Sequence, residues 1–137
     1  MRKSTTLICR LLLLAYICLL VYLCFGHFDN IPEIARKFDF FGIEQDKLVH
    51  FCMFFPFPIL CCFAAGRTFK TLGGALAFVL AVFLTGCIIG AATELGQGLT
   101  TYRSADPKDF FADGLSLAIS SVISFIICLI YKSRSDA

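Results

Sequence analysis

Charge is scarce in this chain. Asp, Glu, Lys and Arg make up 16% of its 137 residues, and the net charge is +2. No Lys/Arg tract marks it for nucleic acid. A Gly-rich phosphate loop and an H-E-x-x-H motif are both missing, which argues against an ATPase and a zincin. There is no tandem repeat and no low-complexity linker, so a single domain over 1–137 is expected. Cysteine is plentiful, at 8, but no C-x-x-C pair occurs. Cys9, Cys18, Cys24, Cys52, Cys61, Cys62, Cys87 and Cys128 fall nearly all within apolar runs. They read as small packing residues, with neither a metal nor a redox role.

What the chain has in quantity is apolar sequence. Hydrophobic residues reach 58% and the mean hydropathy is +0.83. These residues come in runs close to the ~20 residues needed to cross hydrocarbon. The fold class is therefore all-α: a polytopic membrane protein with four transmembrane helices, near 7–26, 47–65, 72–99 and 106–131. The first run resembles a signal peptide, with Arg2 and Lys3 ahead of it. However, Tyr22-Leu23-Cys24-Phe25 offers no small-x-small cleavage site, so an uncleaved helix is expected. Pro56 and Pro58 should kink or unwind the second helix. The polar segment 27–46 is expected to form an outer loop with a short interfacial helix.

Lys and Arg gather at the N-terminus, at Arg67 and Lys70, and at Lys132 and Arg134, with only Asp136 as an acid, while the other side has Arg36, Lys37, Lys47, Arg103 and Lys108 and nearly all the acids. By the positive-inside rule both termini are cytoplasmic.

Against this background, Glu94 to Asp113 stands out, because ionisable groups beside membrane spans are expensive and mark function. Asp106 and Pro107 read as a helix start, with Asp106 as N-cap. Asp109 and Asp113 are one turn apart on one face, so they require a cation, a proton or a substrate group between them. A divalent cation at Asp109 and Asp113 is one candidate. Gly86, Gly90, Glu94 and Gly98 recur every four residues and should form a seam for close helix packing, with Glu94 facing inward or hydrogen-bonded to Gln97 or a loop amide. On the second helix, Asp46 is one turn before His50 and can orient its ring, and Lys47 is beside them. Arg103 and Lys47 suit phosphate oxygens. His50, Glu94, Asp109 and Asp113 are the candidate catalytic residues; Asp46, Lys47, Gln97 and Arg103 are the candidate substrate-binding ones.

These residues resemble a known pattern. Asp46-Lys47-Leu48-Val49-His50-Phe51 is similar to the D-K-x-x-H-F signature of VanZ-like membrane proteins. Glu94, Gln97, Arg103 and Asp109 follow in the same order, and the similarity spans roughly 40–125. That family usually has Asn in place of Asp113 and Gly in place of Ser116. The resemblance implies a bacterial envelope protein, in a family associated with glycopeptide (teicoplanin) resistance and grouped with a wider lipocone superfamily proposed to act on lipid headgroups.

The expected function is chemistry on a phosphate-containing envelope lipid or lipid-linked cell-wall precursor at the outer face of the bacterial inner membrane. The rivals are a non-catalytic protein that binds such a precursor or an antibiotic, and a proton or ion handler using Glu94 and Asp113. Convergence of His50, Glu94 and Asp109 within about 8 Å favours the enzyme, since they can then act on one group directly or through a water.

Overall fold

The structure is a computed structural model that describes residues 3–26, 45–66, 69, 71–100 and 106–135. It is all-α, with no strand among the described residues. The helices are α1 (Lys3–Phe25), α2 (Gln45–Phe54), α3 (Pro56–Ala65), α4 (Leu72–Gly98) and α5 (Pro107–Ser135). Four stretches are long and apolar enough to cross a membrane, with α2 and α3 together forming the second. The chain is thus a multi-pass membrane protein. The expected interfacial helix within 27–44 and Arg103 lie outside the described residues.

The break between α2 and α3 falls at Phe55, where the two prolines remove backbone donors. Carbonyls just before it are met by side chains from neighbouring helices. The Ser116 hydroxyl of α5 donates to the Phe51 carbonyl at 2.6 Å, and the Tyr16 hydroxyl of α1 donates to that of Met53. The Phe51 carbonyl also accepts the Phe55 N–H at 3.1 Å, so these side-chain bonds tie the break to α1 and α5 and do not replace the donors that the prolines lack. At its far end α3 stops at Gly66, whose φ of 60° is left-handed and whose N–H donates to the Phe63 carbonyl.

The bundle is dressed inversely to a soluble protein. Leu76, Leu80, Leu84 and Ile88 form an exposed stripe on α4, and Leu7, Leu11 and Leu14 do so on α1. Small and polar residues are inside. Gly86 packs under Leu117, and a Cβ there would come within 2.6 Å of a Leu117 methyl. Gly90 abuts Asp113 and Phe54. Close approach of α4 and α5 therefore depends on these two glycines. The seam does not continue to Gly98, which is exposed. At about 100° per residue, twelve residues rotate the helix by about 120° beyond whole turns, so a strict four-residue repeat drifts off the face. Gly96 takes the last close contact instead, against Phe25.

Candidate functional site

The start of α2, the end of α4 and the start of α5 meet at one end of the bundle. The start of α5 is fixed by its own sequence. Asp106 caps it, accepting the Lys108 N–H at 2.9 Å, and Pro107 takes the first helical position. That amide holds the Asp106 carboxyl below the ordinary carboxylate range, with Lys47 adding to the effect. With the start set here, Asp109 falls in the first turn and Asp113 in the second.

His50 is the centre. It is 2% exposed; around it Glu94 is 6%, Asp109 4% and Asp113 0% exposed. The ring Nδ1 and Asp113 Oδ1 are 3.1 Å apart, a buried hydrogen bond. Glu94 Oε1 is 3.9 Å from the same nitrogen. On the other side of the ring, Nε2 is 3.8 Å from Asp109 Oδ2. The imidazole thus fills the gap between the two carboxylates of α5, whose one-turn spacing required some group there.

Further out, Lys47 Nζ is 3.6 Å from Asp106 Oδ2 and 3.8 Å from Asp109 Oδ1. Glu94 is secured through Oε2, which accepts the Asp106 backbone N–H at 3.1 Å. This loop amide is one of the two partners that the sequence suggested for it. The other, Gln97, is turned elsewhere: its amide donates to the Cys24 carbonyl of α1 at 2.9 Å. Gln97 is buried and ties α1 to α4, which differs from a role in holding substrate. The orienting bond to His50 comes from Asp113. Asp46, although one turn before His50, is exposed and stands beside His50 and Asp109.

Two groups have the composition and spacing to hold a metal ion. Asp46, His50 and Asp109 form one, and His50, Glu94 and Asp113 the other; within each the donor atoms lie within 4.8 Å of one another. For the cation expected at Asp109 and Asp113, the described residues thus offer donors that include either aspartate. The two aspartates belong to different groups, on opposite nitrogens of the shared histidine.

Among the described residues, three buried carboxylate oxygens have no hydrogen-bond partner: Glu94 Oε1, which has His50 Nδ1 at 3.9 Å, Asp109 Oδ1, which has Lys47 Nζ at 3.8 Å, and Asp113 Oδ2. Buried polar atoms are nearly always paired, so each orphan points to a proton, a cation or a ligand.

Sequence reasoning missed three contributors to this end. Thr93 is buried and donates to the Gly90 carbonyl at 2.8 Å. Tyr16 and Ser116 brace the helix break beneath His50. The spacing of Ser116, Ser120 and Ser124 marks a buried polar stripe and offered a signal; Tyr16 gave none, because its partner is a backbone carbonyl on another helix.

The chain matches no model of a known protein family, no curated protein and no solved structure, so the reading of this site rests on its own residues and geometry.

Proposed function

We propose that this is a VanZ-like bacterial membrane protein acting on a phosphate-containing envelope lipid or lipid-linked cell-wall precursor, by headgroup hydrolysis or transfer. The site faces outward from the cytoplasmic membrane, and both termini are cytoplasmic. The observation that carries the reading is the meeting of His50 with Glu94, Asp109 and Asp113 at distances of 3.1–3.9 Å. The constellation lies roughly 3–9 Å inside the helix ends, at 1.5 Å per residue. That depth suits a headgroup at the interface better than an ion crossing the mid-plane. The gathering of Arg2, Lys3, Arg10, Arg67, Lys70, Lys132 and Arg134 at the termini and the one loop assigned to the cytoplasm, with nearly all the acids on the other side, supports the orientation.

In the hydrolytic form, a water oxygen bonds to phosphorus and the bond from phosphorus to the departing oxygen breaks. Glu94 takes the proton of the water through Oε1, and that proton passes on to the departing oxygen. His50 faces the phosphoryl group, held in place by Asp113 and Asp109. Lys47, from α2, and Arg103, from the segment before Asp106, neutralise phosphate oxygens.

The test uses purified full-length protein in phospholipid vesicles, with release of a phosphate-bearing headgroup as the readout. His50→Ala and Glu94→Gln are expected to abolish turnover while the protein still inserts. Full activity in both variants would remove the reading.

A further inference from the structure

We propose that Asp46, His50 and Asp109 bind one divalent metal ion, with Asp113 as the outer partner that fixes the ligand histidine. The first argument is charge. Asp46, Glu94, Asp109 and Asp113 surround one imidazole, and Asp106 stands just beyond. Against them, Lys47 is shared between Asp106 and Asp109, and Lys108 acts on Asp106. Among the described residues carboxylates are therefore in excess at this end of the bundle, and such an excess repels itself and repels a phosphate more. Buried charges are paired or bind metal, and a divalent ion settles both repulsions at once.

The second argument is geometry. Nε2 of His50 and Oδ2 of Asp109 are 3.8 Å apart, beyond a hydrogen bond. An ion about 2.0–2.2 Å from each spans that gap. Asp46, one turn before His50, supplies a third donor within 4.8 Å of both. Asp109 is more than nine-tenths buried, and its other oxygen, Oδ1, has no hydrogen-bond partner among the described residues, Lys47 Nζ standing off at 3.8 Å.

The third argument is the second nitrogen of the ring. Metal-bound histidines commonly donate their other N–H to a carboxylate, which sets the tautomer and the ring orientation. Here Nδ1 is 3.1 Å from Asp113 Oδ1. With a carboxylate accepting there, Nδ1 carries the hydrogen and Nε2 turns its lone pair toward Asp109.

These points select one of the two groups. The deeper one, His50 with Glu94 and Asp113, has no exposed member, and its ring nitrogen is already in a hydrogen bond. The outer one includes exposed Asp46, so an ion can enter, and open coordination positions remain for water. One imidazole and two carboxylates suit Zn2+ or Mn2+ better than Mg2+ or Ca2+. The site itself is independent of any substrate; only its use rests on the phosphate-lipid reading, where the ion would polarise a phosphoryl oxygen and leave the proton to Glu94.

The experiment titrates Mn2+ into chelator-stripped, full-length protein in detergent micelles, following loss of the free-Mn2+ paramagnetic resonance signal, with Zn2+ as competitor. One Mn2+ per chain, displaced by Zn2+, is expected. Asp46→Asn and Asp109→Asn should each weaken binding more than about 10-fold, and Asp113→Asn by roughly 10-fold through the histidine it orients. Ser124→Ala, past the midpoint of α5 and away from the three ligands, should change nothing. Circular dichroism confirms that each variant is folded, and exposed Asp46 supplies a test even if the buried variants do not fold. Absence of stoichiometric binding in the unaltered protein would overturn the proposal, as would unaltered affinity in Asp46→Asn. Metal binding without lipid turnover would keep this site and remove the lipid reading. Turnover that persists in chelated protein would keep the lipid reading and remove the ion's role.

Discussion

Where α3 ends and α4 begins, the bundle is closed by Cys62, Ala75, Val79 and Cys128. The two thiols touch at 3.0 Å. Phe69 packs on Phe78 with ring centroids 5.0 Å apart, and Phe63 meets Tyr131 edge-on. At the other end the same α4 and α5 enclose an imidazole, a glutamate and two aspartates. The first end is what apolar packing produces when nothing else is asked of it. The second is costly, since buried ions keep a desolvation penalty that pairing only partly offsets. Ionisable groups placed at such a cost are a functional-site hypothesis by default, and the contrast between the ends points to the second as the candidate site.

The comparison breaks most sharply at Asp113. Asp113→Asn keeps an acceptor for His50 and removes one charge from a crowded set. In metal-free protein its thermal midpoint should therefore rise, by an amount corresponding to about 1 kcal/mol. Turnover should fall about 100-fold or more, the scale of losing a group that positions acid–base chemistry. At the thiol end, Cys62→Ala should do the reverse, lowering the midpoint by a similar amount and leaving turnover alone. Thermal unfolding and headgroup release, measured on both variants, check this. A midpoint that drops in Asp113→Asn would mean that the carboxylate is there for stability.

A subtler contrast lies along α4. Gly86 and Gly90 are one turn apart, and both face α5. A methyl at Gly86 meets fully buried Leu117 at 2.6 Å, so Gly86→Ala should cost roughly 1–3 kcal/mol as an overpacking change. At Gly90 the nearest atom is Asp113 Oδ2, at 3.3 Å. That oxygen can give way by a few tenths of an ångström, and alanine regains some helix propensity. Gly90→Ala should therefore leave stability within about 1 kcal/mol and lower activity by displacing Asp113. Equal stability losses in the two variants would show that the polar end is packed as tightly as the apolar middle.

The residues that could be read in advance share a physical reason. Four spans followed from run length, because hydrocarbon thickness sets a minimum that few other constraints alter. The start of α5 was legible because Asp106 and Pro107 act on their own neighbours. The relation of Asp109 to Asp113 was half legible. Helix spacing shows that some group must stand between them, but only the packing of α2 on α5 makes it His50. Gln97 was misplaced for the same reason: its partner, the Cys24 carbonyl, is on another helix, and no local pattern carries that information. Gly98 was assigned to the seam because a four-residue repeat looks helical over two turns and drifts away over three.

The smallest effect belongs to the capping residue that links the site to solvent. Asp106 is held below the ordinary carboxylate range by the Lys108 amide and by Lys47. A carboxyl whose folded pKa is depressed stabilises the fold at pH values above its unfolded pKa. That contribution is lost as pH falls through the folded one. The start of α5 should therefore be fully capped from neutral pH down past about 3.9, the ordinary aspartate value, and should loosen only below it. Chemical shifts of the Lys108 and Asp109 amides, followed by acid titration in micelles, measure this directly. Asp106→Asn should abolish the titration yet keep much of the cap, since Asn is also a good N-cap. If the Lys108 amide instead shifts above pH 3.9, the carboxyl is not held by the helix start. Asp106 would then belong electrostatically with the crowded acids behind it, and the boundary between scaffold and site would have to move outward by one residue.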